Sequence, residues 1–384
     1  MENLFPWRSG NRFELLVDGN QFFPAMLAAI QSARQEVLLE LYLIEESRCS
    51  QLLVDRLSEA AQRGVKVRCL FDGFGARHLS KASRQQLIQA GVELRLHNPL
   101  HWKQGLANLR RDHRKLLLID RKVAFIGGTG ATDNFWQPDT GKSLWHELMV
   151  RCEGALTQDF YHLFKQQWSP PPRTWRATFL GSTDKRRPPL PPSGLQGMGR
   201  LAWSDAQTHR ELVQSLLRHI HRAKQRIWLA TPYFLPSWKV RRALRKAAQR
   251  GVDVQLLLAA NNIDHGPVRY ASHRYYPKLL RAGVRIHEYS PRFLHLKLVL
   301  VDDWVSLGSC NFDHWNLRFN LEANLEAQDA DLTRACADCL QQGIAAGQEI
   351  TLEDWRKRPL YRRIQERLWG FIDQLILNVL DKRG

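Results

Sequence analysis

The chain has 384 residues with 56 Lys and Arg against 38 Asp and Glu, a formal charge of +18 that divides into +9 for residues 1–200 and +9 for 201–384. The length suits two domains of about 150–200 residues each, and a 44% hydrophobic fraction with 13 Trp and 16 Phe excludes a disordered basic protein. So large a basic excess favours an anionic partner: nucleic acid, a phosphorylated substrate or an acidic membrane surface.

Met1–Gly10 carries Glu2 and turns polar after Trp7, so it lacks the basic-then-apolar order of a signal peptide. No stretch reaches the roughly 18 apolar residues of a membrane span. The cysteines, at 49, 69, 152, 310, 336 and 339, fall at irregular spacings and are expected to be reduced. Cys336 and Cys339 form a lone CxxC on a predicted helix, where packing is the expected role because a zinc site needs a second pair.

In chain order, a helix ending near Ala33 leads into the apolar strand Val37–Ile44, followed by a helix from Ser50 to Gly64. Serine at the start can cap orphan N–H groups, and glycine at the stop tolerates a left-handed exit. A strand over Val65–Phe71, a helix stopped by Gly91, and strands Glu93–His97, Lys115–Ile119 and Val123–Ile126 complete the first series. Residues 169–200 hold seven prolines and the cluster Lys185-Arg186-Arg187, and read as a linker or surface loop with a solvated basic face. The series then recurs: a helix ending near Ala223, strand Ile227–Tyr233, helix Ser237–Gly251, strand Val252–Leu258 and a helix stopped by Gly283.

The recurrence is also literal. Ala60–Val65 and Ala247–Val252 both read AAQRGV, Ala33–Val37 parallels Ala223–Ile227, and Ala90–Pro99 parallels Ala282–Pro291. Two copies of one α/β domain are therefore expected, each a sheet flanked by helices, over 1–168 and 201–350, with 351–384 as a basic C-terminal segment.

The strongest chemical signal sits at the same place in both copies. His113-Arg114-Lys115 runs on to Asp120 and Gly127-Gly128; His295-Leu296-Lys297 runs on to Asp302 and Gly308-Ser309-Cys310-Asn311. On an extended chain, positions i and i+2 share a face, so each His and its Lys point toward one pocket. This doubled HxKx4D pattern resembles the phospholipase D superfamily, over about Arg12 to Asn324. The resemblance implies two domains about a pseudo-two-fold axis that bring both histidines to one phosphorus. One imidazole attacks and forms a phosphohistidine; the other protonates the departing alkoxide and then deprotonates the acceptor. Lys115 and Lys297 are expected to hold the nonbridging oxygens, with Gly128, Ser309 and Asn311 as further substrate-binding positions. Glu147 and Glu322 are the acids expected to orient the histidines. Asp120 and Asp302 complete the motif, organising the site from behind. Either histidine can attack, and double-repeat relatives favour His113. No metal-ligand cluster is apparent, and this chemistry requires neither metal nor other cofactor.

The chain departs from the pattern at two positions. Gly130 stands where the second copy has Asn311, with Asn134 as a candidate substitute, and Leu296 replaces a usually small residue and is expected to narrow the pocket.

Within the superfamily, Gly10–Gly19, Leu39–Tyr42, Pro232–Pro236 and Asn320–Asn324 resemble bacterial cardiolipin synthases, most closely the shorter B type. That resemblance implies phosphatidyl transfer from one phosphatidylglycerol to another, with phosphatidylethanolamine as an alternative donor. It also implies a peripheral enzyme on the cytoplasmic side of a bacterial cell membrane, with anionic phospholipid rather than nucleic acid as partner. A hydrolase acting on phospholipid or nucleic acid and a non-catalytic binding protein are the competing classes. From Tyr361, Ile364, Leu368, Phe371, Ile372, Leu375 and Val379 recur at helical spacing beside Trp355 and Trp369. This segment fits either an anionic lipid interface or a helix docked on its own domain. Lys239, Arg241, Arg242, Arg245 and Lys246 are a second candidate lipid contact, or a solvated helix face.

Overall fold

The computed structural model describes residues 4–169, 188–191, 196–205, 211–260, 266–313, 316–359 and 369. Lys185-Arg186-Arg187 and most of the C-terminal segment lie outside the described residues. The first copy forms strands β1 (Arg12–Val17), β2 (Glu36–Leu41), β3 (Lys66–Asp72), β4 (Glu93–His97), β5 (Arg111–Asp112), β6 (Leu116–Ile119), β7 (Val123–Gly127), β8 (Trp145–His146) and β9 (Leu148–Glu153). The second forms β10 (Met198–Ser204), β11 (Arg226–Thr231), β12 (Asp253–Ala259), β13 (Arg285–Tyr289), β14 (Phe293–Leu294), β15 (Leu298–Val301), β16 (Trp304–Gly308), β17 (Asn320–Gln328) and β18 (Gly347–Glu349).

The duplication is visible in the topology. One sheet runs β1-β9-β7-β6-β2-β3-β4; the other runs β10-β17-β16-β15-β11-β12-β13 and adds β18. In each, the three strands β2-β3-β4 or β11-β12-β13 are parallel and the rest of the shared order is antiparallel.

Every residue of β2 is buried, which is why it reads as an apolar run broken only by Glu36 and Glu40 and not as an alternation. Its side chains still alternate between two layers. Val37, Leu39 and Leu41 pack beneath the helices of the first copy, whereas Leu38 joins a central core with Leu116, Leu201, Trp228 and Leu298 from both copies. The two sheets thus share one apolar layer, and each fully buried leucine in it contributes about 1.5–3 kcal/mol. The helix Ala330–Ala346 inserts Cys336, Cys339 and Leu340 into that layer. All six cysteines are unpaired and buried, so the CxxC is a packing feature.

Two local expectations shift. The first copy's second helix spans Arg48–Gln62, capped by Ser47 instead of Ser50; Ser47 Oγ accepts from Ser50 N, and Ser50 returns the bond to the Ser47 N–H. Trp355 is no lipid contact: it is buried in the second copy's core, 4.9 Å from the ring of Tyr276, and Trp369 packs against the same core.

Candidate active site

Both histidines are held by the opposite copy. Strand β5 runs parallel to the start of β17, and His113 N donates to Leu321 O at 3.0 Å. Strand β14 runs parallel to β8, and His295 N donates to His146 O at 2.8 Å. Each exchange brings a carboxylate with it. His113 Nδ1 lies 3.0 Å from Glu322 Oε1, and His295 Nδ1 lies 2.5 Å from Glu147 Oε2. With Nδ1–H donating to the carboxylate, Nε2 keeps its lone pair for reaction.

The lysines close in from below. Lys115 Nζ donates to His113 O, and Lys297 Nζ donates to His295 O, each at 2.5 Å; Lys297 also reaches Glu147 Oε2 at 3.3 Å and stands 3.0 Å from His295 Nε2. Burial pushes the Lys115 ammonium down to about 7, with Glu322 opposing the shift. Burial and the adjacent Lys297 lower His295 to about 4, against the pull of Glu147. His113 is lowered by burial as well, opposed by Glu322. Burial alone would raise Glu147, yet Lys297 and His295 outweigh it and hold the carboxyl below its ordinary range.

His113, Lys115 and His295 line a cavity of about 280 Å³ with Tyr42, Phe135, Trp145, Tyr233, Leu235 and Asn311, and Lys297 and the two glutamates stand behind them. Asn311 Oδ1 is buried with no hydrogen-bond partner among the described residues, so an acceptor is left there for a ligand hydroxyl. Gly128 lies beside Glu147: a Cβ there would stand 2.2 Å from the carboxylate. Its counterpart Ser309 donates to Glu322 Oε2, so it positions the carboxylate and does not line the cavity.

Asp120 and Asp302 are not in the site. Each occupies a hairpin turn at a φ of about 50° and accepts three backbone N–H groups, from Arg34, Gln35 and Glu36 or from Lys224, Gln225 and Arg226. They fasten the start of β2 and β11, at the ends of β6 and β15 that lie away from the histidines.

Both departures from the motif have steric reasons. A Cβ on Gly130 would lie 2.8 Å from Leu43 Cβ, so no asparagine fits there, and Asn134 is not in the cavity wall. Leu296 does not narrow the pocket either, because its side chain is fully buried in the central core.

Comparison with known proteins points one way. The family described as "Cardiolipin synthase, PLD-like domain" matches residues 26–168 and 216–342. Cardiolipin synthase B of Salmonella typhimurium is 34% identical over 341 residues, covering 87% of this chain and 81% of that protein. The chain belongs to the cardiolipin synthase family. Cardiolipin synthase A of Pseudomonas putida is 32% identical across 97% of this chain and 76% of its own length. A crystal structure of phosphatidylserine synthase from Haemophilus influenzae has the same fold, with a TM-score of 0.73 at 15% identity, covering 99% of this chain and 97% of that one. The protein is thus a phosphatidyltransferase of the phospholipase D superfamily.

For this family member the sequence motif omits the aromatic wall. Tyr42 and Tyr233 follow equivalent strands and lie in the segments Leu39–Tyr42 and Pro232–Pro236, but the HxKx4D motif does not include them. Tyr42 meets the His113 ring edge at 4.8 Å, and burial raises its hydroxyl to about 12, so it stays neutral. Phe135 and Trp145 stand 5.4 and 5.0 Å from the His295 ring. The wall sets apolar surface against both imidazoles.

Proposed function

We propose that this protein is a cardiolipin synthase that transfers the phosphatidyl group of one phosphatidylglycerol to another through a phosphohistidine. The observation that carries this reading is the reciprocal pairing of His113 with Glu322 and His295 with Glu147 across one cavity. In the first step, a neutral imidazole Nε2 forms a bond to phosphorus as the P–O bond to the departing glycerol breaks. The second imidazole, protonated, gives its proton to that oxygen and glycerol leaves. The same imidazole then takes the proton from a hydroxyl of the second phosphatidylglycerol, whose oxygen displaces the histidine and completes cardiolipin.

The family resemblance favours attack by His113, which leaves proton transfer to His295. In the free site Lys297 and burial keep His295 neutral. An entering phosphodiester anion engages Lys297 and offsets its charge, and with Glu147 it then pulls His295 toward the imidazolium against burial. Lys115, Lys297 and Asn311 are assigned to the nonbridging oxygens, where positive charge and donors stabilise the transition state. The aromatic wall favours an alcohol over water as acceptor.

Purified protein with phosphatidylglycerol vesicles is expected to yield cardiolipin and glycerol in equal amounts. Phosphatidic acid alone would identify a hydrolase, and nicking of plasmid DNA with inert lipid would identify a nuclease. His113→Ala and His295→Ala are each expected to abolish turnover; near-normal activity in either would refute a shared site.

A further inference from the structure

The cavity of about 280 Å³ lies just below the roughly 300–1,000 Å³ that encloses a drug-sized ligand. It accommodates a phosphodiester with its glycerol groups and leaves the acyl chains outside. If the substrate is a membrane phospholipid, as the proposed function holds, the mouth must meet the bilayer surface. The topology identifies what surrounds that mouth. Tyr42 and Tyr233 both line the cavity and stand one and two residues past the ends of the parallel strands β2 and β11, so the carboxyl-terminal edges of these parallel strands face it.

Those edges carry unusually exposed apolar side chains. After β4, Leu100 is 53% and Trp102 83% exposed; Leu144, next to the wall residue Trp145, is 46% exposed; Trp238, three residues beyond Leu235, is 56% exposed. Single exposed hydrophobics are ordinary, but here they come from three separate segments on the sheet edges that carry the cavity. Each has an exposed lysine close in the chain, at Lys103, Lys142 and Lys239. Lys103 Nζ stands 5.1 Å over the Trp102 ring, and the Arg242 guanidinium stands 5.2 Å over Trp238. Beyond Lys239 a groove of about 720 Å³ lined by His221 and Arg222 extends the basic surface. Tryptophan beside lysine is the pairing that an anionic headgroup layer accepts, with the ring at the acyl boundary and the charge at the phosphates.

We propose that this rim, with Trp102 and Trp238 as its anchors, is the face that seats the protein on an anionic phospholipid bilayer and presents headgroups to the active site. The Trp102→Ala/Trp238→Ala variant of the full chain tests it, using flotation with vesicles of phosphatidylglycerol and phosphatidylcholine. Vesicle binding is expected to fall by roughly tenfold or more, since burial of an apolar side chain is of that order. Turnover on vesicles falls with it, while turnover on dispersed dihexanoyl-phosphatidylglycerol stays at the wild-type level. A Lys103→Glu/Lys239→Glu variant keeps both indoles and is expected to lose binding, by about fivefold per cation at low salt. Unchanged flotation of both variants would overturn the proposal, leaving the rim as a contact for protein. Equal loss on vesicle and dispersed substrate would overturn it too, because the rim would then act on the pocket. Wild-type protein that floats with vesicles yet makes no cardiolipin would refute the proposed function and leave the docking face standing.

Discussion

Glu322 and Glu147 act on histidines that are 209 and 148 positions away in the chain. A glutamine at either site keeps the volume but loses the charge that fixes the tautomer. Glu322→Gln is expected to lower kcat by about 10²–10⁴-fold with little change in KM, in line with amide replacement of a histidine-orienting carboxylate elsewhere. Steady-state assays on phosphatidylglycerol check this, and the change should add nothing to His113→Ala, since the two act as a unit. His295 also sets a pH dependence of stability. Its folded value of about 4 lies below the ordinary 6.5, so the unfolded chain binds more protons between these values. The contribution is complete above about pH 6.5 and is lost as pH falls toward 4, on the order of 3 kcal/mol. Urea midpoints at acid and neutral pH are expected to differ less in His295→Asn than in the wild type. Equal slopes would remove His295 from the account.

At the scale of elements, the copies differ in what supports their histidines. Behind His113 lie Glu40, Asp72, Arg111, Asp112 and Arg114, all buried, with Arg114 2.6 Å from Glu40 and Arg111 3.3 Å from Asp72. The equivalent positions in the second copy are Ala230, Ala259, Phe293, Leu294 and Leu296, all in the central apolar core. Leu296 is thus one part of a concerted exchange of an ionic layer for an apolar one. Asp72 joins the ionic layer together, accepting from Phe74 N, Gly75 N and Asp112 N at 2.9–3.0 Å. Asp72→Ala strands these donors and Arg111, and is expected to cost about 3–5 kcal/mol in chemical denaturation. Because β5 leads directly into His113, turnover should fall even where the variant remains folded. A loss of activity without loss of stability would contradict this assignment.

For the whole molecule, the reciprocal carboxylates place one complete site in one chain. Mixing the His113→Ala and His295→Ala proteins is therefore expected to leave activity at the level of either alone. Recovery in the mixture would mean that sites form between chains. Among the described residues no helix is long and apolar enough to cross a bilayer.

The duplication, the α/β class and the two His-Lys pairs were legible in the sequence because periodicity and repetition are local or additive along the chain. The pairing of each histidine with the other copy's glutamate was not, since nothing in either motif encodes which copy supplies the carboxylate. Asp120 and Asp302 show the converse. They recur with the motif yet serve the turns that hold β2 and β11, because a carboxylate past a strand end bonds whatever backbone the fold brings there. Sequence alone determined which groups could handle a phosphodiester. Only packing the two sheets on one apolar layer decided which of them meet, and that layer depends on contacts spanning most of the chain.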